Sequence, residues 1–221
     1  MLERGYLRSV RLAPTIKESD EYFAALPAVE GLLHRGGLPF NQPVTFMVGE
    51  NGTGKSTLLE AIAVGWGFNP EGGTINFNFA TSETHSGLYQ HLRLSKDRVK
   101  PKDGFFLRAE SFYNVASEIE RMDRETMMGP RLADSYGGRS LHAQSHGESF
   151  MALVLNRFGG RGLYILDEPE AALSPSRQMA LLAAIHALVE NDSQFIISTH
   201  SPILMAYPKA DIYVLDENGI T

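Results

Sequence analysis

One segment of nine residues constrains the fold of this chain more than any other. Residues 49–57 have the sequence Gly-Glu-Asn-Gly-Thr-Gly-Lys-Ser-Thr, which fits the pattern G-x-x-x-x-G-K-[ST] at every fixed position. An apolar, β-rich run precedes the segment at 44–48, and a helical pattern follows it at 58–63. Glycines at such a junction let consecutive backbone amides point toward an anion at the start of the helix. The segment therefore predicts a strand, a phosphate-binding loop and a helix.

The positions of this loop have separate expected roles toward a bound polyphosphate. Lys55 is expected to reach the β- and γ-phosphates, and the Ser56 hydroxyl is expected to bind Mg²⁺. The remaining loop residues that we expect to contact the nucleotide are Glu50, Asn51, Gly52, Thr53, Gly54 and Thr57.

Composition predicts an ordinary globular protein. The 221 residues are 43% hydrophobic and 21% charged, which indicates one domain with a sizeable core. Absence of Cys excludes disulfides and thiolate metal sites and suits a reducing compartment. The start of the chain does not resemble a signal peptide, and no apolar run reaches the roughly 18 residues of a membrane span, so we expect a cytoplasmic protein without membrane insertion. The net charge of −6 disfavours tight sequence-independent nucleic-acid binding but leaves room for a local basic patch.

The region before the loop predicts one strand and then little regular structure. Residues 6–12 alternate in polarity as a strand does. Residues 14–43 contain four prolines, which indicates mostly loop with a short helix near 21–26. Tyr22, Phe23 and Phe40 each have two interpretations, stacking on an adenine ring or packing in the core, and packing is the commoner role.

The middle of the chain predicts strands at 74–79, 88–94 and 104–109. Residues 96–102 carry four cations, a pattern typical of a nucleic-acid patch or of a solvated hairpin tip. Because no aromatic residues lie among them, the hairpin tip is favoured. Ser111 stands at the N-cap position of a helix expected to reach about residue 122, and the Gly-Pro and Gly-Gly breakers of 123–139 indicate a loop.

The second half places acidic residues at the end of an apolar strand over 163–168. Asp167 is expected to hold Mg²⁺ through water, and Glu168 to accept a proton from an attacking water. A helix with Ser174 as N-cap is expected to run to about residue 189. The next strand, 194–200, ends in His200 at the same sheet edge, where it could sense a γ-phosphate, and a last strand covers 211–215.

A second helix start has features that suit an anion. Ser145 precedes a helical run, and Glu148 lies three residues later, which predicts a capping box. A capped helix N-terminus with a serine hydroxyl can also bind an anion, and the two roles are compatible.

These motifs resemble those of ATP-binding-cassette (ABC) ATPases and occur in that family's order. Residues 49–57 resemble the Walker A motif in the x-N-G-x-G-K-S-T form common to the DNA-repair and chromosome-maintenance branches. Residues 163–168 resemble Walker B with its catalytic glutamate, and His200 matches the switch histidine. Residues 106–112 and 145–149 are similar to a group of small stand-alone bacterial AAA/ABC ATPases whose biological role is poorly defined.

The chain departs from the ABC pattern at several positions. At the place of the LSGGQ signature, Ser145 and Gly147 match, but His146 replaces a glycine and Glu148 replaces the glutamine. The D-loop has Ser174 in place of Asp. Glu110 or Ser111 falls where the Q-loop glutamine is expected. These departures concern contacts between chains and coupling to a partner more than hydrolysis.

The resemblance implies an α/β fold of the P-loop NTPase, ABC ATPase type. It implies a single domain over 1–221 with a mostly parallel core sheet, an antiparallel β subdomain and a small helical subdomain at roughly 111–158. The implied ligands are ATP and Mg²⁺, with Glu168, Lys55 and His200 as catalytic residues and Ser56 and Asp167 at the metal.

The resemblance further implies an ATP-bound homodimer, in which Ser145 and Gly147 of one chain contact the nucleotide of the other. The interval between the first helix and the signature is short and without heptads, which excludes a coiled-coil tether. Three roles stay open: an ATPase acting on nucleic acid or a partner protein, a transporter's nucleotide-binding subunit, and a slow nucleotide-dependent switch. The departures from the signature count against the transporter.

Overall fold

The computed structural model describes residues 5–75, 86–110 and 145–221, together with Phe112, Ser117 and Arg121. The strands, in chain order, are β1 (Leu7–Leu12), β2 (Leu38–Pro39), β3 (Val44–Gly49), β4 (Leu92–Lys96), β5 (Asp103–Arg108), β6 (Gly162–Asp167), β7 (Gln194–Ser198), β8 (Asp211–Asp216) and β9 (Gly219–Ile220). The α-helices are α1 (Pro27–Arg35), α2 (Lys55–Trp66), α3 (His146–Arg157), α4 (Pro175–Glu190) and α5 (Pro202–Met205). Short 3-10 helices cover Pro14–Glu18, Tyr22–Ala25, Gly87–His91 and Pro169–Ala172.

The strands form two sheets. The larger has the order β5-β6-β7-β3-β8-β9, is parallel from β5 to β8, and ends in the antiparallel strand β9. The smaller is antiparallel, with the order β2-β1-β4. Because neighbouring parallel strands run in one direction, the carboxyl ends of β3, β6 and β7 meet at one edge of the larger sheet.

The larger sheet is buried on both faces, which explains its continuous apolar strands. In β6, Leu163 and Ile165 face the core shared with α1 and α2, whereas Tyr164 and Leu166 face the core shared with α3 and α4. Every residue of β6 and β7 is buried. Among the described residues, no helix is long and apolar enough to cross a membrane.

The prediction of mostly loop over 14–43 was wrong at α1. Pro27 occupies the first helical position and Gly36, with φ of 72°, ends the helix in the left-handed region. Ala28, Val29 and Leu32 bury the apolar face of this helix. A proline at the first position of a helix and a glycine just after its end are typical of helix termini. These residues therefore mark the two ends of α1, although their abundance over 14–43 was interpreted as loop.

Several other boundaries differ from the sequence prediction. The expected strand at 88–94 was wrong before Leu92, because Gly87–His91 is a 3-10 helix capped by the Ser86 hydroxyl. The predicted strand at 74–79 lies largely outside the described residues, as do Ser111, the helix predicted to 122, the loop at 123–139 and most of the helical subdomain. Ser174 occupies the N-cap position of α4, but its side chain makes no capping hydrogen bond.

The structure also separates the alternatives left open for the aromatic and basic residues. Phe23 and Phe40 are buried in the core, so neither is available to an adenine ring, whereas Tyr22 is 67% exposed. The basic segment 96–102 is mostly solvent-exposed, as favoured, but it connects the two sheets and is not a hairpin tip. Lys96 lies over the Trp66 ring, 4.4 Å from its centroid.

A partly buried carboxylate connects the end of α3 to the larger sheet. Asp103 accepts hydrogen bonds from Arg157 Nη1 (2.8 Å), the Gly159 amide (2.9 Å) and the Tyr164 hydroxyl (2.8 Å). Burial raises the pKa of Asp103, but these donors outweigh burial and hold the pKa below its usual value. The ionised carboxylate is therefore stabilised by folding.

We expect Asp103→Asn to lower the free energy of unfolding at neutral pH by about 1–3 kcal/mol, because charge-assisted hydrogen bonds are lost. The folded pKa lies below the unfolded one, so the stabilisation is complete above pH about 4 and disappears as pH falls through the folded pKa. Urea unfolding at pH 7 and at acidic pH should show the difference from wild type shrinking on acidification. Asp20→Asn, at an exposed site, is the control, and a difference independent of pH would contradict the assignment.

Candidate active site

The loop over 49–54 joins β3 to α2 and is closed by contacts to one carbonyl group. The Glu50 carbonyl oxygen accepts hydrogen bonds from Lys55 Nζ (2.7 Å) and Thr53 Oγ1 (2.9 Å). Gly52 and Gly54 have φ of 84° and 92°, in the left-handed region that favours glycine. The helix α2 begins directly after this loop, so the backbone amides of its first turn lie beside the loop at the positive end of the helix dipole.

Lys55 is the buried cation of this site. Its side chain is 4% exposed. Burial lowers the pKa of the Lys55 ammonium, while the charges of Glu168, Asp167 and Glu170 raise it in part. The loop lysine predicted from the motif thus lies in the field of the acidic residues at the end of β6.

Ser56 and Asp167 meet although they are far apart in sequence. The Ser56 hydroxyl donates to Asp167 Oδ1 at 3.0 Å, and the Ser198 hydroxyl donates to the same oxygen at 2.5 Å. Asp167 is 6% exposed at the end of β6. Hydroxyl and carboxylate oxygens are ligands that Mg²⁺ accepts, commonly together with substrate phosphates, so this pair fits a magnesium site.

Glu168 and His200 form the second polar pair at this edge. His200 Nε2 lies 3.1 Å from Glu168 Oε1, and the His200 amide donates to Glu170 Oε1. The Glu168 backbone has φ of 48° and its amide donates to Ser198, which holds it in a conformation uncommon for a residue with a side chain. The contact brings together Glu168, predicted to act as general base, and His200, predicted to sense the γ-phosphate.

A cavity of about 300 Å³ adjoins the loop. Glu110 and Glu168 also line this cavity, whereas Ser111, the other residue predicted for the Q-loop position, lies outside the described residues. Leu26, which sequence reasoning missed, lines the same cavity and is a candidate for apolar contact with a nucleobase. The loop residues in the lining are Asn51, Gly52, Gly54, Lys55, Ser56 and Thr57.

Sequence reasoning also missed an arginine beside Asp167. Arg108, at the end of β5, donates to Glu60 Oε2 at 2.5 Å, and its Nε lies 3.5 Å from Asp167 Oδ2. Glu60 lies on α2 and also accepts the Ser86 amide at 3.1 Å. In the sequence, the only indication of this contact was the presence of a charged residue in each of two otherwise largely apolar segments. Arg108 thus links α2 to the carboxylate predicted at the metal.

We expect Arg108→Met and Glu60→Met to lower the free energy of unfolding by about 1–3 kcal/mol each, because each removes the charge-assisted hydrogen bond between two largely buried side chains. The double variant should lose less than the sum of the single losses. Urea unfolding of all four proteins measures this coupling. The control is Arg8→Met, which removes a pair whose arginine is 44% exposed and should cost less than about 1 kcal/mol. Strict additivity of the two losses would contradict the contact.

The start of α3 has the predicted capping box. Ser145 Oγ accepts the Glu148 amide (3.4 Å), and Glu148 Oε2 accepts the Ser145 amide (3.0 Å). Hydrogen bonds from Ser145 lower the pKa of Glu148, and the charge of Arg177 on α4 lowers it further. A Cβ at Gly147 would lie 2.7 Å from the Ala172 carbonyl oxygen, so a side chain would force α3 away.

Ser145 and Gly147 do not join the loop within one chain. Neither lines the cavity beside the loop or the neighbouring one formed by Glu50, Asn51, Glu168 and His200. Ser145 is exposed at the helix N-terminus. The structure therefore brings together the predicted loop, metal and base residues, whereas exposed Ser145 and buried Gly147 line neither of these cavities.

Comparisons with known families and curated proteins agree with these motifs. A family model described as "AAA domain, putative AbiEii toxin, Type IV TA system" matches residues 149–206, and one described as "AAA domain" matches residues 34–124. The xylose/arabinose import ATP-binding protein XylG of Sulfolobus acidocaldarius is 27% identical over 93% of this chain and 85% of its own length. ABC transporter E family member 1 of Arabidopsis thaliana is 26% identical over 79% of this chain, which spans only 31% of that relative.

Solved structures show the fold. The ATP-binding cassette of an ABC transporter, MJ1267, superposes with a TM-score of 0.55 at 17% identity, covering 98% of this chain and 89% of that one. Clostridium perfringens cbiO1, part of the ABC transporter complex cbiONQ, gives a TM-score of 0.51 at 19% identity over 84% and 78%. The chain thus has the P-loop NTPase fold of the ABC ATPase type, and the smaller antiparallel sheet is the predicted β subdomain.

Proposed function

We propose that this chain binds ATP and hydrolyses it in the presence of Mg²⁺, within a homodimer that encloses two nucleotides. The observation that carries the proposal is the meeting of two polar pairs at one sheet edge. Ser56 lies 3.0 Å from Asp167, and His200 lies 3.1 Å from Glu168, with buried Lys55 among them. The ABC fold and the similarity to ATP-binding proteins support the same activity.

The residues suit phosphoryl transfer to water, in which positioning and charge neutralisation supply most of the catalysis. The loop amides and Lys55 bind the phosphates, with the Lys55 ammonium exchanging the Glu50 carbonyl for phosphate oxygens. Ser56 and Asp167 would hold Mg²⁺, which would supply positive charge that offsets the charge of the phosphates. Both assignments rest on groups that already lie at hydrogen-bonding distance in the protein.

Glu168 acts as the general base. Its carboxylate accepts a proton from the water that attacks the γ-phosphorus, and His200 holds the carboxylate in place. The Glu168 amide donates a hydrogen bond to Ser198, which holds the backbone, and its carboxylate lies 3.1 Å from His200 Nε2, which holds the side chain. The catalytic step therefore uses Glu168 as base, Lys55 as cation and His200 as its positioning partner.

The homodimer completes the site. Ser145 and Gly147 lie away from the loop of their own chain, and a helix N-terminus with an exposed hydroxyl suits the γ-phosphate of a second chain's nucleotide. ATP binding then closes the dimer and hydrolysis opens it. The expected partner of the cycle is a protein or a nucleic acid.

A transporter subunit is a second candidate, supported by the relatives. XylG, which is similar to this chain, is named as an import ATP-binding protein. The replacements at His146 and Glu148 in the signature weigh toward a partner other than a membrane transporter.

Phosphate release by the purified chain tests the proposed activity. We expect ATP turnover with Mg²⁺ and none with excess EDTA, whereas ATP-driven dimerisation with negligible turnover would support the slow switch instead. A pull-down with the Glu168→Gln variant in the presence of ATP distinguishes between the possible classes of partner. Recovery of an integral membrane protein would select the transporter, and recovery of nucleic acid or another protein would exclude it.

A further inference from the structure

The capping box at the start of α3 has a cation beside it. Arg177, on α4, places its Nη2 atom 3.2 Å from Glu148 Oε1 and its Nη1 atom 3.5 Å from Ser145 Oγ. A Cβ at Gly147 would lie 2.6 Å from Arg177 Nη1. The guanidinium group therefore lies against the first turn of α3, and the absence of a side chain at Gly147 makes room for it.

Glu148, where the ABC signature has glutamine, puts a negative charge at this helix start. The Ser145 hydroxyl donates to Glu148 Oε2 at 2.7 Å, so the carboxylate adjoins the hydroxyl that the proposed dimer places at a phosphate. A carboxylate and a phosphate repel each other, more strongly where water is excluded. A phosphate at this position therefore requires a neighbouring cation. Among the described residues, Arg177 is the one that forms an ion pair with Glu148.

The Arg177 side chain retains donors for a ligand. A guanidinium group has five N–H donors in a planar fork, which matches pairs of phosphate oxygens. In the described part of the chain, its contacts with Glu148 and Ser145 leave most of these donors free. The side chain is 36% exposed and adjoins the exposed Ser145. A phosphate that approaches the N-terminus of α3 thus meets a guanidinium group as well as backbone amides.

We propose that Arg177 binds the γ-phosphate of the ATP held by the second chain, with Glu148 holding the guanidinium group in position. This inference rests on the proposed ATP-bound homodimer and adds a residue to its shared site. Because ADP lacks the γ-phosphate, the contact stabilises the dimer with ATP and not the dimer with ADP. The glutamate in the signature is then the anchor of a phosphate-binding arginine.

The start of α4 holds Arg177 in a fixed relation to the nucleotide site of its own chain. Gln178, the next residue, donates from Nε2 to the Leu173 carbonyl oxygen at 3.0 Å and accepts a hydrogen bond from the Ser201 hydroxyl at 2.5 Å. Ser201 directly follows His200, the residue predicted to sense the γ-phosphate in its own chain. The helix that carries Arg177 toward one nucleotide is therefore hydrogen-bonded to the segment that faces the other.

ATP-driven dimerisation of the Glu168→Gln protein, with and without Arg177→Met, tests the proposal. Sedimentation at saturating ATP and Mg²⁺ over a series of protein dilutions gives the dissociation constant of the dimer. Each of the two shared sites loses a charge-assisted hydrogen bond worth about a factor of ten, so we expect Arg177→Met to raise this constant about a hundredfold. Binding of a fluorescent ATP analogue by the dilute monomer should be unchanged, because the contact is made across the dimer.

Two results of this experiment would overturn the proposal. The first is a dimer dissociation constant equal to that of the Glu168→Gln parent. The second is a loss of ATP binding by the Arg177→Met monomer that accounts for the whole loss of dimerisation. Unfolding does not produce the expected result, because the Arg177–Glu148 pair is exposed and its loss should leave the thermal midpoint without nucleotide close to that of the parent.

Two controls separate a phosphate contact from other roles of Arg177. Arg98→Met removes the same charge in the exposed segment after β4 and should change the dissociation constant by less than about twofold. Adding Glu148→Gln to Arg177→Met removes the carboxylate that needs a cation, and a direct contact predicts that a loss of about tenfold or more remains. Full recovery in this combination would show that Arg177 only neutralises Glu148 and would overturn the assignment.

The Arg177 contact and the homodimer can fail separately. If the Glu168→Gln parent stays monomeric at saturating ATP, the proposed homodimer is refuted and the Arg177 contact with it. If the parent dimerises with ATP and the Arg177→Met variant dimerises equally well, only the Arg177 contact is refuted.

Discussion

Glu168→Gln is expected to reduce ATP turnover by about a hundredfold or more while leaving ATP binding intact, as removal of a general base does. Gln keeps the size of the side chain and its contact with His200, but it cannot take the proton from water. The Lys55, Ser56 and Asp167 contacts are untouched by the substitution. The variant should therefore accumulate as an ATP-bound dimer.

Single-turnover phosphate release and size-exclusion chromatography at saturating ATP and Mg²⁺ measure the two effects. Glu170→Gln is the informative comparison, because the Glu170 carboxylate also contacts His200, by accepting a hydrogen bond from the His200 backbone amide. We expect Glu170→Gln to lose much less activity than Glu168→Gln. Equal losses would remove Glu168 as the base, and a monomer at saturating ATP would count against closure of the dimer.

The parts of the site that could be predicted from sequence are those encoded locally. The loop over 49–57 carries its own pattern, and β3, β6 and β7 are continuous apolar runs because both faces of the parallel sheet are buried. Since parallel strands end at one edge, placing Asp167 and His200 near the loop needed only strand direction. Local pattern plus one rule of topology thus gave most of the candidate site.

The residues that were missed depend on contacts between distant segments. In the sequence, Glu60 resembles an ordinary exposed charged residue of a helix. In the structure it is buried and accepts a hydrogen bond from Arg108. Arg177 is an ordinary helix residue in the sequence, and only the packing of α4 against α3 places it beside the capping box. Ser174 occupies the expected cap position, but its hydroxyl lies 3.1 Å from Ser176 Oγ and does not cap the helix. Such pairings are not encoded in the local sequence.

Lys55→Ala and Ser145→Arg are each expected to abolish ATPase activity, and their mixture is expected to regain part of it. In a homodimer of either variant, both composite sites carry one broken half. Lys55→Ala removes the buried cation of the loop, and Ser145→Arg puts a large side chain where the exposed helix N-terminus would meet the other chain's phosphate. A heterodimer has one site with both defects and one site with an intact loop facing an intact signature.

The experiment mixes the two purified variants, allows chains to exchange, and measures phosphate release and ATP-driven dimerisation. Independent sites predict partial recovery of activity, whereas sites that must act together predict recovered dimerisation alone. Ser145→Ala controls for the lost capping box, which is worth about 1 kcal/mol, and the thermal midpoints of both Ser145 variants report that cost. The structure makes the test specific, because Ser145 contacts Glu148 and approaches Arg177 in its own chain but does not line the loop cavity. Full activity and full dimerisation of Ser145→Arg would show that this serine is only a helix cap.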